Sequence, residues 1–466
     1  MAYLSPPAYW QRVIMNESIL TAFARRGVEL LYQDDGVLYE LLEREYRRQA
    51  NTLALVASSS IVDPSVLACE GMVPVNVTAE GYPGRRFHAG CDLIDEIEQL
   101  AIERAKRAFT AQYANVQPHS ASSANEIVML SLLKPGDTIL GMELQSGGHL
   151  THGAKASISG QYFQAVGYGV GVDGLIDYGQ VSELAERCKP RLIVCGATAY
   201  PRAINFERFR EIADKVGAYL LADITHIAAL VIAGLHPSPI NVAHFTTTCT
   251  HKQLYGPRGG LILMGQDHLA PAPGPKRTLS EMIQSAVFPL LQGAPVPNVI
   301  AAKARALARA TTPDFKALAE SIVANARALA GFLAERGHEL VSGGTDNHIV
   351  LVNLIPRGLT GVVAEKALEE SHIIVNKNKV PGDRKSPFVT SGIRLGTNSV
   401  AARGMGAGQM KQCADLIDRV LTSIDALGES DYRLDGRVKD GVRAEVELLC
   451  EGFPIPRYPV PKPSGR

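Results

Sequence analysis

This 466-residue sequence is defined first by what it lacks. It has no excess charge: Lys+Arg and Asp+Glu both number 47, so the formal net charge is zero. That removes a global pull toward nucleic acid or a membrane surface and leaves only local basic patches. No CxxC pair is present. The seven cysteines stand at 69, 91, 188, 195, 249, 413 and 450. An odd, unpaired set reads as reduced thiols in a cytoplasmic protein with no structural metal. The longest apolar run, 227–235, is too short to span a bilayer. The chain does not open with a basic segment, an apolar run and a small-residue cleavage site, so no signal peptide is expected.

What is there is an ordinary balance, 46% hydrophobic and 20% charged, in a chain long enough for a large core and two domains. Residues 36–50, GVLYELLEREYRRQA, carry apolar side chains at helical spacing, so 1–50 reads as a helical arm or oligomer contact. From 51 to 310, short apolar runs alternate with helical stretches such as Asp92–Phe109 and 205–216. DTILGM, QYFQAVGY, RLIVCGAT, AYLLADIT and GGLILMG read as buried strands. This alternation predicts an α/β domain whose mainly parallel sheet is covered on both faces. Its site belongs at the carboxyl ends of the strands. A Pro/Gly-rich loop at 271–275 and an alanine-rich helix at 298–310 lead to a smaller α+β domain, 311–466. That part combines a helix at 315–336 with strands in HIVLVNL, HIIVNK and SGIRLG. Its tail, GFPIPRYPVPKPSGR, reads as extended.

The chemistry centres on 245–260, FTTTCTHKQLYGPRGG. Lys252 stands between an extended run and a glycine turn. It is either a surface lysine or a Schiff-base lysine, whose amine must lose its proton to attack an aldehyde. QPHSASSAN (117–125) brings small hydroxyl residues to a helix start, as a phosphate site or as a serine cap. GGHLTHG (147–153) lets the backbone approach closely; His149 either stacks on a flat ring or decorates a turn. ADITH (222–226) puts Asp223 after an apolar strand, where an unpaired charge is costly. It can hold a cationic ring nitrogen, with His226 near a ring oxygen, or cap a helix. In SGIRLGT (391–397), Arg394 needs either a substrate carboxylate or an internal acid. A lysine, an acid, a stacking group, a phosphate cup and an arginine together suit pyridoxal phosphate, an electron sink for a bond broken at Cα.

These segments follow one another as in the serine hydroxymethyltransferases, and the chain resembles that family over roughly 50–455. The resemblance is carried by AEGYPGRRFHAGC (79–91), YANVQPHSASSAN (113–125), GGHLTHG, ADITHIAALVIAGLHPSP (222–239), TTTCTHKQLYGPRGGLIL (246–263), SAVFPLLQGAP (285–295) and KSPFVTSGIRLGT (385–397). It implies a PLP-dependent fold-type I, aspartate aminotransferase-like large domain. A mostly parallel seven-stranded sheet and a smaller α+β C-terminal domain go with it. It implies pyridoxal 5'-phosphate held covalently on Lys252, with Asp223 at the ring nitrogen, His149 stacked on the ring and His226 near its hydroxyl. Thr198 stands where the family has a serine, and His251 flanks the cofactor. Ser120 and the backbone at Ala121 would hold the phosphate, with Gly293 reaching it from a second subunit. Arg394 and Ser58 would bind the substrate carboxylate, with Arg258 also at the substrate. Glu80, from the partner subunit, would be the acid/base group. A homodimer or dimer of dimers is implied.

The chain departs from the family around this pocket. NKYAEGYPGKRYYGGC reads NVTAEGYPGRRFHAGC, so Thr78, Phe87 and His88 replace tyrosines, and His88 joins Glu80 as a candidate catalytic group. Cys249 and Gln253 replace threonines beside Lys252. Asn378 keeps a family folate contact. The resulting expectation is an enzyme acting on the Cα–Cβ bond of serine or threonine, releasing an aldehyde from a glycine unit. The substitutions point to transfer of that unit to a second aldehyde without folate, as in threonine transaldolases. The alternatives are a true serine hydroxymethyltransferase using tetrahydrofolate, an aminotransferase, and a catalytically silent scaffold that binds the cofactor. The expected partners are small amino acids and aldehydes, with no nucleic acid, membrane or metal.

Overall fold

The structure is a computed structural model that describes residues 18–274 and 276–461. The start of the arm, Pro275 of the 271–275 loop and the end of the proline-rich tail lie outside the described residues. The large sheet comprises β1 (Tyr113–Asn115), β2 (Thr138–Met142), β3 (Gln164–Tyr168), β4 (Leu192–Gly196), β5 (Tyr219–Asp223), β6 (Phe245–Cys249) and β7 (Gly260–Met264). Its order is β1-β7-β6-β5-β4-β2-β3. Only β7 runs against its neighbours. The central strands β4, β6 and β7 are buried at every residue, as a sheet covered on both faces requires. Successive side chains of β5 show the two faces. Leu220 and Ala222 join the core that holds Phe109, Phe206 and Leu307, whereas Leu221 joins Ile127, Phe245 and Met282.

The second unit has an antiparallel sheet of β8 (Glu339–Leu340), β9 (Ile349–Asn353), β10 (Asn376–Asn378) and β11 (Gly392–Gly396), ordered β8-β9-β11-β10. Leu329, Val350, Ile393 and Ile417 form its core. Leu53–Ala54 pairs in parallel with Ile373–Ile374, and Leu53 and Leu55 pack in this C-terminal core. The chain therefore passes through the C-terminal unit before it enters the large sheet.

The helix Pro313–Glu335 is long and apolar enough to cross a membrane by length and composition. Here it struts the two cores together. Phe315 and Ile322 enter the large core, and Ala326, Leu329 and Leu333 enter the C-terminal one. The run 227–235 instead holds a short helix, Ala228–Ile232, with four of its residues buried. The arm helices α1 (Ile19–Asp34) and α2 (Gly36–Asn51) are capped by Ser18 and Asp35, yet neither buries a residue. Their apolar side chains, Phe23, Leu41 and Leu42 among them, are exposed.

Candidate active site

Five of the predicted residues of the large unit lie at or just past carboxyl ends of strands. β1 leads to Ser120, β2 to His149, β4 to Thr198 and β6 to Lys252, while Asp223 closes β5. Gly196, at φ +143, lets β4 come this close, because a Cβ there would lie 2.2 Å from the Asp223 carbonyl oxygen.

Asp223 is buried. Its Oδ2 accepts from Asn125 Nδ2 at 2.8 Å and faces His152 Nε2 at 3.1 Å; its Oδ1 accepts from the Thr225 N–H at 3.0 Å. Burial alone would raise its pKa, but these partners hold the carboxyl well below the usual carboxylate range. The helix after it begins at Ala228, capped by Ile227, so Asp223 is no helix cap. Asn125 is itself fixed, accepting from Thr247 Oγ1 at 2.6 Å. A fixed anion at the floor of a crevice suits a cationic ring nitrogen.

Lys252 lies within the field of that anion. Its amine makes no hydrogen bond or ion pair among the described residues. Burial lowers its pKa, and Arg394 and Arg258 push the same way against Asp223. A lysine so treated is poised to act as a nucleophile. Burial also pushes the His149 imidazole down to about 4; its Nδ1 lies 2.8 Å from Thr151 Oγ1. His226 is likewise driven well below its ordinary value by burial, with Lys252 and Arg394 adding to the effect. Its Nδ1 is buried without a partner, and its ring stacks on His348 with centroids 5.8 Å apart. His251 faces Arg258 at 3.3 Å, and Arg258 is exposed.

Arg394, on β11, comes from the other unit. Its Nε donates to Asn376 Oδ1 at 3.0 Å and its Nη1 to the Thr198 carbonyl. No carboxylate lies within ion-pair distance among the described residues, so the internal salt bridge considered above is absent. Burial lowers its pKa to about 10. The residue before Ser58 runs against this strand, since a Cβ at Gly396 would lie 2.3 Å from Ala57 Cα. Thr198 uses its hydroxyl on the Gly147 and Gly148 carbonyls.

Ser120 caps the helix Ala121–Leu132, its Oγ accepting from the Ser123 N–H at 3.0 Å. Glu80 forms a separate group. It faces His88 Nε2 at 3.2 Å, and a Cβ on Gly293 would lie 3.6 Å from its Oε1. Arg86 Nη1 donates to the carbonyls on either side of Glu80, Ala79 and Gly81, at 2.9 Å each. Among the described residues, no hydrogen bond joins the Glu80 group to Lys252, Asp223 or Arg394. Beside Thr198 and His152 a cavity of about 770 Å³ opens, with Leu144, Leu150, Lys377, Asn378 and Lys379 on its walls.

The groups gathered here fit pyridoxal phosphate: a desolvated amine without a partner, an ionised buried carboxylate, an orphaned imidazole nitrogen and an arginine without an acid. The model of the serine hydroxymethyltransferase family matches residues 31–417. The chain belongs to the serine hydroxymethyltransferase family. It is 48% identical over 423 residues to a serine hydroxymethyltransferase of Chromohalobacter salexigens, covering 91% of this chain and 97% of that protein. Identity to the Methylococcus capsulatus protein of the same name is 49% over 431 residues, 92% and 99% of the two chains. The Alkalilimnicola ehrlichii relative gives 49% over 422 residues, 90% and 96%. The cofactor of this family, pyridoxal phosphate bound to a lysine, is the one these groups fit.

Two of the departures from the family pattern fill the wall of the site. Cys249 is buried with Sγ 4.0 Å from the Thr225 carbonyl, and Gln253 Nε2 reaches Asn398 Oδ1 at 3.4 Å. Two further substitutions meet Glu80: the His88 ring faces its carboxylate, and the Phe87 N–H donates to its carbonyl at 3.0 Å. Sequence reasoning missed His152, Asn125, Thr247, Asn376 and His348. His152 and Asn125 stood inside quoted motifs, and their polar side chains beside glycine or at a helix start were the signal. Asn376 and His348 carried none, because the C-terminal unit brings them to the site.

Proposed function

We propose that this chain is a pyridoxal phosphate-dependent serine hydroxymethyltransferase, converting serine and tetrahydrofolate to glycine and methylenetetrahydrofolate. The cavity beside Thr198 carries the reading. Leu144 and Leu150 offer apolar walls for a flat bicyclic ring, and Lys379 offers a cation for an anionic tail, beside Lys377, which is paired with Glu365 at 2.8 Å. The names of the relatives support the same reading over the folate-free transfer that the substitutions suggested.

When bound on Lys252, the cofactor would supply the electron sink. Asp223 would keep the ring nitrogen charged. Arg394 would clamp the substrate carboxylate and so aim the Cα–Cβ bond. Glu80, aided by His88, would take the proton from the β-hydroxyl as Cβ leaves as formaldehyde, and Cα would regain a proton to give glycine. Ser120 and the N–H groups from Ala121 onward would receive the phosphate.

Glu80 and Gly293 stand together and apart from Lys252, which supports their acting in the site of a second copy. The uncovered apolar faces of α1 and α2 support a homodimer. The test is glycine formation from serine by the purified holoenzyme with and without tetrahydrofolate. Strict dependence, with stoichiometric methylenetetrahydrofolate, is expected. The Glu80–His88 contact favours a second reading, transfer of the glycine unit from threonine to an added aldehyde. Equal turnover without folate would establish that reading and overturn the first.

A further inference from the structure

Lys303 has no place in the reaction described above, yet it is among the most enclosed charged groups in the chain, 1% exposed on the helix Pro297–Ala310. Its Nζ donates to the carbonyl oxygens of Val116 at 2.6 Å, Pro118 at 3.0 Å and Gly260 at 3.0 Å. Three acceptors match the three N–H donors of an ammonium, so the contacts select the charged form. Burial pulls its pKa down to about 7, against the opposing charge of Glu98; among the described residues no carboxylate pairs with it directly. A buried cation with only carbonyl partners is costly unless something nearby uses it.

The three carbonyls belong to the two segments on which cofactor binding would depend. Val116 and Pro118 precede Ser120. Gly260 opens β7 at the end of the loop that begins with Lys252. The segments already touch: the Gly260 N–H donates to the Pro118 carbonyl at 2.8 Å, and a Cβ at Gly260 would lie 2.2 Å from the Ser120 carbonyl oxygen. The lysine-bearing loop is closed on itself, with Thr250 Oγ1 on the Pro257 carbonyl at 2.6 Å and the Thr250 N–H on Gly259 at 3.0 Å. Gly259 gives Lys303 room, since a Cβ there would lie 2.1 Å from its Cε.

We propose that Lys303 is a positioning residue for the cofactor phosphate, its buried ammonium fixing the Ser120 loop against the Lys252 loop. It also places a positive charge beneath the phosphate cup. The inference rests on the reading of Ser120 and its helix start as that cup.

The test compares affinity for pyridoxal phosphate with affinity for pyridoxal, which can still react with Lys252 but has no phosphate. Both are titrated by absorbance into apo wild type, Lys303→Met and Gly259→Ala. The last variant displaces the lysine head without deleting it. Wild type should prefer pyridoxal phosphate strongly. Both variants should lose roughly 10- to 100-fold in affinity for it while pyridoxal binding moves less than about threefold. An equal loss for both ligands would mean general unfolding of the site and overturn the proposal, as would unchanged affinity for both. If Lys303→Met does not fold, Gly259→Ala decides alone by the same comparison. Should wild type itself show no preference for pyridoxal phosphate, the phosphate-cup reading fails, a result distinct from failure of the lysine's role.

Discussion

Replacing Arg394 by Gln tests the link between the two units most directly. The guanidinium carries five N–H donors, of which Nε serves Asn376 and Nη1 serves the Thr198 carbonyl. Among the described residues, no carboxylate lies within ion-pair distance of the remaining donors. At 8% exposure the cation is largely stripped of water, and a substrate carboxylate would restore what it lost. Truncating one partner of a buried hydrogen-bonded charge pair costs roughly 2–5 kcal/mol, or about 30- to 5,000-fold. Arg394→Gln should lose that factor in kcat/KM for serine. Arg394→Lys keeps the charge without the fork and should lose less, roughly 10- to 100-fold. The assay is steady-state methylenetetrahydrofolate formation, which reads the one-carbon unit released from serine (leaving glycine) or from 2-aminoethanol, which lacks the carboxylate and would leave methylamine. Wild type should discriminate against 2-aminoethanol by a factor similar to the Arg394→Gln loss, and the variant should hardly discriminate. Retention of kcat/KM within threefold, or undiminished discrimination, would refute the reasoning. A cofactor absorbance check separates either result from loss of the holoenzyme.

Borohydride treatment of holoenzyme should fix cofactor mass to the Lys252 peptide, and Lys252→Arg should bind the cofactor without fixing it; label at another lysine would refute the assignment. Acid should destabilise the protein in two stages. His149 and His348 are lowered by burial to about 4 and about 3, whereas in the unfolded chain they titrate near ~6.5. The unfolded state therefore binds more protons below that value. Stability is full above it and declines as pH falls toward 4. Asp223 adds a second loss that begins below the unfolded carboxyl value, near ~3.9, because its depressed folded pKa leaves the unfolded chain binding more protons there. The melting temperature against pH should show the first decline, and His348→Phe should flatten it.

Much of this site could be read in one dimension because its parts are local. Asp223 ends a strand whose apolar run is visible, Ser120 opens a helix whose capping pattern is visible, and Lys252 sits at a strand-to-glycine junction. Period and turn chemistry act over a few residues, so they set the α/β class, the strands and the carboxyl-end location of the site. The order of residues in each motif also carried the family. What the sequence could not decide were relations between segments far apart in the chain. Whether Arg394 met an acid or stood open to a substrate depended on Asn376 and Thr198 arriving beside it. Whether Asp223 was ionised depended on Asn125 and His152. Glu80 and Lys252 lie in separate groups, and Lys303, unremarked among alanines, reaches three carbonyls from two loops. Such contacts are fixed by how the sheet stacks and how the strut helix joins two cores, and packing of that kind has no period to read.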